Sequence, residues 1–216
     1  PAEFVSLSSG QDKFIAVAAA ENRISLSFDG ITWNDRALPE VHNWSDSTFG
    51  NDTFVIIADN SNAVAYSSDG ENWSITEIPE DTVSDSTADS TVSSYSNVVY
   101  GKGRFVAVST SDRATATSTD GITWQRNDSA LPEINETFLY DFVSLVYGDN
   151  KFVALTTDGI FVYSFDGITW YQGTNAPNTD LVNYVDLKGK IINISKLKQG
   201  HYRIDKITVS NPKNET

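Results

Sequence analysis

The sequence predicts an all-β protein, a β-propeller of four-stranded antiparallel blades, and three observations carry that prediction. One seven-residue turn segment occurs four times. A short, continuously apolar run precedes each copy by a nearly fixed distance. No stretch of the 216 residues repeats its apolar positions with the 3.6-residue period of a helix.

The turn segment runs from Ser27 to Trp33, Ser67 to Trp73, Ser118 to Trp124 and Ser164 to Trp170. Each copy keeps the same four residue types at the same places: Ser27, Asp29, Gly30 and Trp33; Ser67, Asp69, Gly70 and Trp73; Ser118, Asp120, Gly121 and Trp124; Ser164, Asp166, Gly167 and Trp170. This is the chemistry of a tight hairpin turn. The Asp can accept hydrogen bonds from backbone N–H groups ahead of it, and the Gly takes the positive φ that residues with a Cβ resist. The Trp opens the following strand, with its indole placed to pack beneath the turn.

The apolar runs are Phe14-Ile15-Ala16-Val17, Phe54-Val55-Ile56-Ile57, Phe105-Val106-Ala107-Val108 and Phe152-Val153-Ala154-Leu155, each 14 or 15 residues before its Asp. Runs without polar alternation mark strands covered on both faces. Four residues before each Phe stands a Gly (Gly10, Gly50, Gly101, Gly148), read as a turn, and six before each Gly an aromatic (Phe4, Trp44, Tyr95, Phe142). Each unit therefore reads as four strands. The first runs from the aromatic to the Gly, and the second is the apolar run. The third spans Arg23–Ser27, Ala63–Ser67, Ala114–Ser118 or Ile160–Ser164, and the fourth starts at the Trp. Pro39, Pro79, Pro132 and Pro177 follow, where the missing N–H ends pairing.

The four units fall at about 3–36, 43–76, 94–127 and 141–173, within residues 1–180. A sheet that is apolar front and back gains stability only between two others of its kind, the arrangement of a propeller; the strands of an open sandwich would alternate. Residues 181–216 contain strand-like segments without the turn motif. They read as a degenerate fifth blade, or as a basic element that docks on the acidic body and closes it. Residues 1–180 carry 8 Lys+Arg against 26 Asp+Glu, and residues 181–216 carry 7 against 3. The blades also fit a part of a larger propeller.

The net charge of −14 and pI near 4.3 argue against a nucleic-acid partner, which needs a basic face. No apolar run approaches the roughly 20 residues of a spanning helix, so no membrane insertion is expected. Cysteine is absent, which excludes disulfides and thiolate metal sites, and the absence of Met leads us to expect a piece of a longer polypeptide.

The segment Ser-x-Asp-Gly-x-Thr-Trp resembles the Asp-box of sialidase-type propellers. The wider unit, such as Tyr147 to Leu155 followed by Ser164 to Trp170, resembles propeller repeats of bacterial surface proteins and bacteriophage virion proteins, with a related repeat in photosystem II assembly factors. The resemblance covers residues 3–178. It implies that Asp29, Asp69, Asp120 and Asp166 are scaffold at the turn between third and fourth strands, and that recognition belongs to loops on the opposite face. The three arginines of a sialidase do not fall at equivalent places here. A sialidase-like glycoside hydrolase is the alternative reading, and an intracellular assembly factor a further one.

For binding, the sequence offers Ser6, Asp46, Asn97 and Ser144, each four residues before its Gly. Strand alternation would set them on the side of the aromatics, as a polar ring around the channel. Trp44, the tryptophan outside the motifs, is a candidate for stacking on a sugar. Asp81, Asp85 and Asp89 form a weak calcium candidate that lacks the glycine and bidentate Glu of a dedicated loop. His42 and His201 stand in unlike contexts, so no transition-metal site and no cofactor are expected. Seven Asn-x-Ser/Thr sequons fit an extracellular setting. The expectation is a non-catalytic binding or structural module of a surface-exposed or virion protein, extracellular, with a protein or a surface glycan as partner.

Overall fold

The computed structural model describes residues 3–80, 94–128, 130–133 and 141–173, together with the backbone of three strands within 181–206. Blade 1 is β1 (Phe4–Gly10), β2 (Lys13–Ala18), β3 (Arg23–Ser27) and β4 (Asn34–Ala37); blade 2 is β5 (Asn43–Gly50), β6 (Thr53–Asp59), β7 (Ala63–Ser67) and β8 (Ser74–Glu77). Blade 3 is β9 (Tyr95–Gly101), β10 (Arg104–Ser109), β11 (Thr115–Ser118) and β12 (Trp124–Asn127); blade 4 is β13 (Phe142–Gly148), β14 (Lys151–Thr156), β15 (Phe161–Ser164) and β16 (Trp170–Gln172). Each blade is an antiparallel meander in chain order. A three-stranded meander follows: β17 (Leu181–Val185), β18 (Ile191–Lys196) and β19 (Tyr202–Lys206).

The first strands stand side by side, β1 against β5, β5 against β9 and β9 against β13, so they line a common axis. The hydrophobic core is divided between blade pairs. Ile15, Val17, Ile24 and Leu26 of blade 1 meet Trp44, Phe54, Ile56 and Trp73 of blade 2. Val55, Ile57 and Val64 of blade 2 meet Tyr95, Phe105 and Trp124 of blade 3. Val106 and Val108 of blade 3 meet Phe142, Phe152, Val162 and Trp170 of blade 4. Successive residues of one apolar run thus serve opposite interfaces: Val55 and Ile57 look forward while Phe54 and Ile56 look back. This is why the runs do not alternate.

Two sequence readings change here. Gly10, Gly50 and Gly101 are not the turn residues. The positive-φ pair lies just beyond them, at Gln11 and Asp12, Asn51 and Asp52, and Lys102 and Gly103. What demands glycine is close approach: a Cβ on Gly10 would enter the Phe49 ring, one on Gly50 the Tyr100 ring, and one on Gly101 the Tyr147 ring. Each ring in turn packs on the second-strand Phe of its own blade, Phe49 on Phe54 at 4.6 Å, Tyr100 on Phe105 at 4.8 Å and Tyr147 on Phe152 at 4.7 Å.

The second change concerns coverage. Trp73, Trp124 and Trp170 are 9%, 6% and 5% exposed, but Trp33 is 38% exposed, because none of blades 2 to 4 packs on the far side of blade 1. The sequence links were also incomplete. Leu38, Ile78 and Leu131, the residues just before Pro39, Pro79 and Pro132, are buried. Their N–H groups bond the carbonyls of Asn22, Asn62 and Arg113, directly after the fourth strand in blades 1 and 2 and four residues beyond it in blade 3.

Replacing Gly50 with Ala is expected to cost about 1–3 kcal/mol, the usual penalty of overpacking a dense core. Combined with Tyr100→Ala, it should cost less than the sum of the single effects, as read by urea denaturation. Additive losses would disconnect the two residues.

Candidate functional site

The repeated turns decide which face of the propeller is available. In every copy the Ser hydroxyl accepts the N–H groups of Asp and Gly, and one Asp oxygen accepts the two N–H groups after the Gly. For Asp120 these are Ile122 and Thr123 at 2.8 and 2.7 Å; for Asp166, Ile168 and Thr169 at 2.8 Å each. Asp29 bonds Ile31 and Thr32 in the same way, and Asp69 bonds Glu71 and Asn72. The indoles of Trp73, Trp124 and Trp170 donate to the carbonyls of Gly70, Gly121 and Gly167 at 3.2–3.3 Å. A Cβ on Gly121 would lie 2.7 Å from Val55 Cγ2, and one on Gly167 2.6 Å from Val106 Cγ2, so each of these turns seats against the preceding blade.

These bonds set the carboxyl acidities. The N–H groups of Thr32 and Ile31 lower Asp29 to about 2, and those of Asn72 and Glu71, with the Asn72 amide, lower Asp69 further. Burial pushes Asp120 and Asp166 up, but the backbone donors outweigh it and leave both below the usual range. The arrangement is a closed hydrogen-bond unit in which the Ser hydroxyl and one oxygen of each Asp are already used.

The turns share one end of the blades with the β1–β2 type of hairpin. At the other end, where first strands begin, the four blades surround a cavity of about 300 Å³. Its rim is polar: Asn43, Ser45 and Asp59 from blade 2, Ser96 and Thr110 from blade 3, and Asp141 from blade 4. Trp44 and Phe142 wall it from within.

A β-bulge shapes this end in every blade. The pairing slips between Phe4 and Ser6, between Trp44 and Asp46, between Tyr95 and Asn97 and between Phe142 and Ser144, leaving Val5, Ser45, Ser96 and Val143 as the extra residues. A bulge breaks alternation. The buried positions are accordingly three apart, Tyr95 and Val98 or Phe142 and Leu145, and the predicted ring of Ser6, Asp46, Asn97 and Ser144 is out of phase with the aromatics rather than beside them.

Three of those four residues come together. Asp46 Oδ1 accepts the Ser6 hydroxyl and the Ser47 N–H, both at 2.8 Å, and Oδ2 accepts the Val98 N–H at 3.0 Å. Asn97 also bonds this carboxylate. Asp46 therefore ties blades 1, 2 and 3 at the axis. Burial raises its pKa, with the Val98, Ser6 and Ser47 donors opposing the shift. The extra residue Ser45 donates to Ile57 O at 3.2 Å and, across the interface, to Tyr95 O at 3.0 Å. Ser144, on the fourth blade, is placed at the equivalent register and is not part of this network.

Trp44 is 1% exposed, so it has no face to offer a sugar; it belongs to the core between blades 1 and 2, with the His42 ring edge-on at 5.0 Å. His42 bonds Glu40 at 2.9 Å. Asp81, Asp85 and Asp89 lie outside the described residues, among which no cluster of three or more His, Cys, Asp or Glu is placed to hold a metal ion. Sequence reasoning missed Arg126, whose side chain is 8% exposed at the end of β12. It bonds Asp112 at 2.8 Å, Asp128, and the Tyr95 hydroxyl at 3.3 Å, clamping the loops of blade 3. An Arg facing an Asp across a hairpin was the available signal.

No family model and no curated protein sequence matches the chain. Solved structures do. A streptogramin B lyase superposes with a TM-score of 0.65 at 11% identity, over 88% of this chain and 61% of that one. YCF48 from Cyanidioschyzon merolae gives 0.61 at 16% identity, over 97% and 72%, and a structure of YCF48 bound to D1 peptide gives 0.60 over 90% and 62%. The chain is a β-propeller module. It spans about three fifths of the length of the lyase.

The turn carboxylates have folded pKa values below their unfolded ones, so their stabilisation is present above about pH 4 and is lost as pH falls toward 2. Melting temperature measured from pH 6 to pH 2 should fall mainly below pH 4, and Asp29→Asn should fall less steeply there than wild type. Separately, Asp46→Ala leaves the Val98 N–H without its acceptor at a crowded axis, while the Ser47 N–H keeps the Ser6 hydroxyl at 3.0 Å. A loss of about 1–3 kcal/mol is expected by denaturant titration.

Proposed function

We propose that this chain is a recognition module that binds an extended segment of a protein partner at the cavity mouth, on the face opposite the Ser-x-Asp-Gly turns. One observation carries the reading. The cavity rim joins polar side chains from three blades with two carboxylates, Asp59 and Asp141, and the bulged strand starts beneath it hold Ser45 and Ser96 out of the regular ladder. A body of net charge −18 over residues 1–180 adds to the field of those carboxylates. The partner segment is therefore basic, carrying Lys or Arg. The peptide bound by the structurally similar YCF48 supports protein recognition over sugar recognition, as does the burial of Trp44.

The turn geometry supports an Asp-box assignment for the repeats, and Asp29, Asp69, Asp120 and Asp166 then serve as scaffold. The sequons support a place in a surface-exposed or virion protein, in attachment or assembly; antibody labelling of intact cells or particles reads that placement.

The binding test is a peptide array probed with the labelled chain at 50 and 500 mM NaCl. Lys- and Arg-containing peptides should be retained at low salt and released at high salt. The double variant Asp59→Asn, Asp141→Asn should lose at least several-fold in retention. Equal retention of Asp- and Glu-rich peptides, or binding confined to a glycan array, overturns the proposal.

A further inference from the structure

Blade 1 has one face that nothing described covers. Phe4, Leu7, Phe14 and Trp33 are 49%, 65%, 37% and 38% exposed, and Phe4, Leu7 and Trp33 border, with Ala16 and Ser25, a groove of about 610 Å³. The three internal interfaces show what such a face takes. The residues equivalent to Phe4, Phe14 and Trp33 in blade 2 are Trp44, Phe54 and Trp73. They are covered by aliphatic residues from the second and third strands of the preceding sheet, Ile15, Val17, Ile24 and Leu26. The turn glycines report the same vacancy. A Cβ on Gly70 would meet Ile15 of the blade before it at 3.1 Å, whereas one on Gly30 would meet nothing nearer than its own blade's Phe14, at 3.8 Å.

We infer that the sheet β17–β19 closes onto this face as a fifth blade, between blade 4 and blade 1. It is an antiparallel meander in chain order, like the four blades. Residues 173–180 separate it from β16, a link inside the range of those joining the other blades, from 38–42 to 78–94. In ring order the sheet after blade 4 is the neighbour of blade 1. Its register pairs Val182 with Ile194 and Tyr184 with Ile192, which places four apolar residues on one face. The opposite face pairs Leu181 with Ser195, Asn183 with Asn193 and Val185 with Ile191, so it mixes apolar and polar positions. Charge favours the same docking. Residues 181–216 hold 7 Lys+Arg against 3 Asp+Glu, and residues 1–180 hold 8 against 26.

The absence of cysteine from the chain makes the test direct. Leu7→Cys is combined with Ile192→Cys, with Val182→Cys, or with the control Asn193→Cys, each in the full chain, and oxidised at low micromolar concentration. An intrachain disulfide is expected with Ile192→Cys or Val182→Cys and not with Asn193→Cys. In the single variant, the thiol at position 7 should react with a maleimide at least ten-fold more slowly than one introduced by Ile31→Cys, a site 84% exposed. Interchain dimers would assign the face to a second copy and overturn the inference. Equal maleimide rates without any disulfide would leave the face open and overturn it. Slow modification without a cross-link points to another occupant, which overturns it too.

Discussion

The close approach of an aromatic ring to a bare backbone holds the blades in register. Phe49 lies on Gly10, Tyr100 on Gly50 and Tyr147 on Gly101, and each ring is braced by the Phe of its own second strand. A ring on a glycine fixes both the distance and the height of one sheet relative to the next, because any Cβ would collide. The rest of the core is shape-tolerant by comparison. Val, Ile and Ala trade places along the second strands, and packing of aliphatic groups sets no comparable register.

Blade 1 obeys the same rule from its other side. It lacks the ring: Ser9 stands where blades 2, 3 and 4 carry Phe49, Tyr100 and Tyr147. Asp35 stands where blade 2 has Ile75, which packs on the interface core. Blade 1 is thus the unit whose backward interface has been partly polarised, while Phe4, Phe14 and Trp33 keep the pattern of a covered face. Whatever covers it, that joint is held by fewer close contacts than the three inside the array.

Much of this was legible in the sequence, and the losses have specific causes. Strand placement, the four-strand unit and the end of the blade carrying the turns all follow from recurring residue types, since identical backbones impose identical demands at Asp29, Asp69, Asp120 and Asp166. The role of Gly50 was misplaced because a glycine needed for closeness and one needed for positive φ look alike in a sequence; only Asn51 and Asp52, with their positive φ, tell them apart. The polar ring was put on the wrong side because one extra residue per first strand reverses every side chain before it, and a bulge leaves no mark in composition. Leu38, Ile78 and Leu131 were legible and overlooked: an apolar residue directly before a proline three times over is a repeat feature like the others.

The bulges also explain why the cavity is where it is. In a regular first strand, Ser45 and Ser96 would point into an interface and the strand would run flat to its end. The inserted residue turns Asp46 toward blade 3 and gives Ser45 two carbonyl partners, one of them across the gap at Tyr95 O. Polar groups can therefore crowd the axis without lacking partners, which a buried polar group in a crowded site otherwise rarely tolerates. The same distortion opens the strand starts outward, leaving Asn43, Asp59 and Asp141 around the mouth. The scaffold end, where Ser and Asp consume each other's hydrogen-bonding capacity and that of the turn backbone, has little left to offer a ligand. At the mouth Asp59 is held by Asn43, Asn60 and Ser94, while Asp141 is exposed, bonded by the Thr157 hydroxyl, and keeps capacity for a ligand.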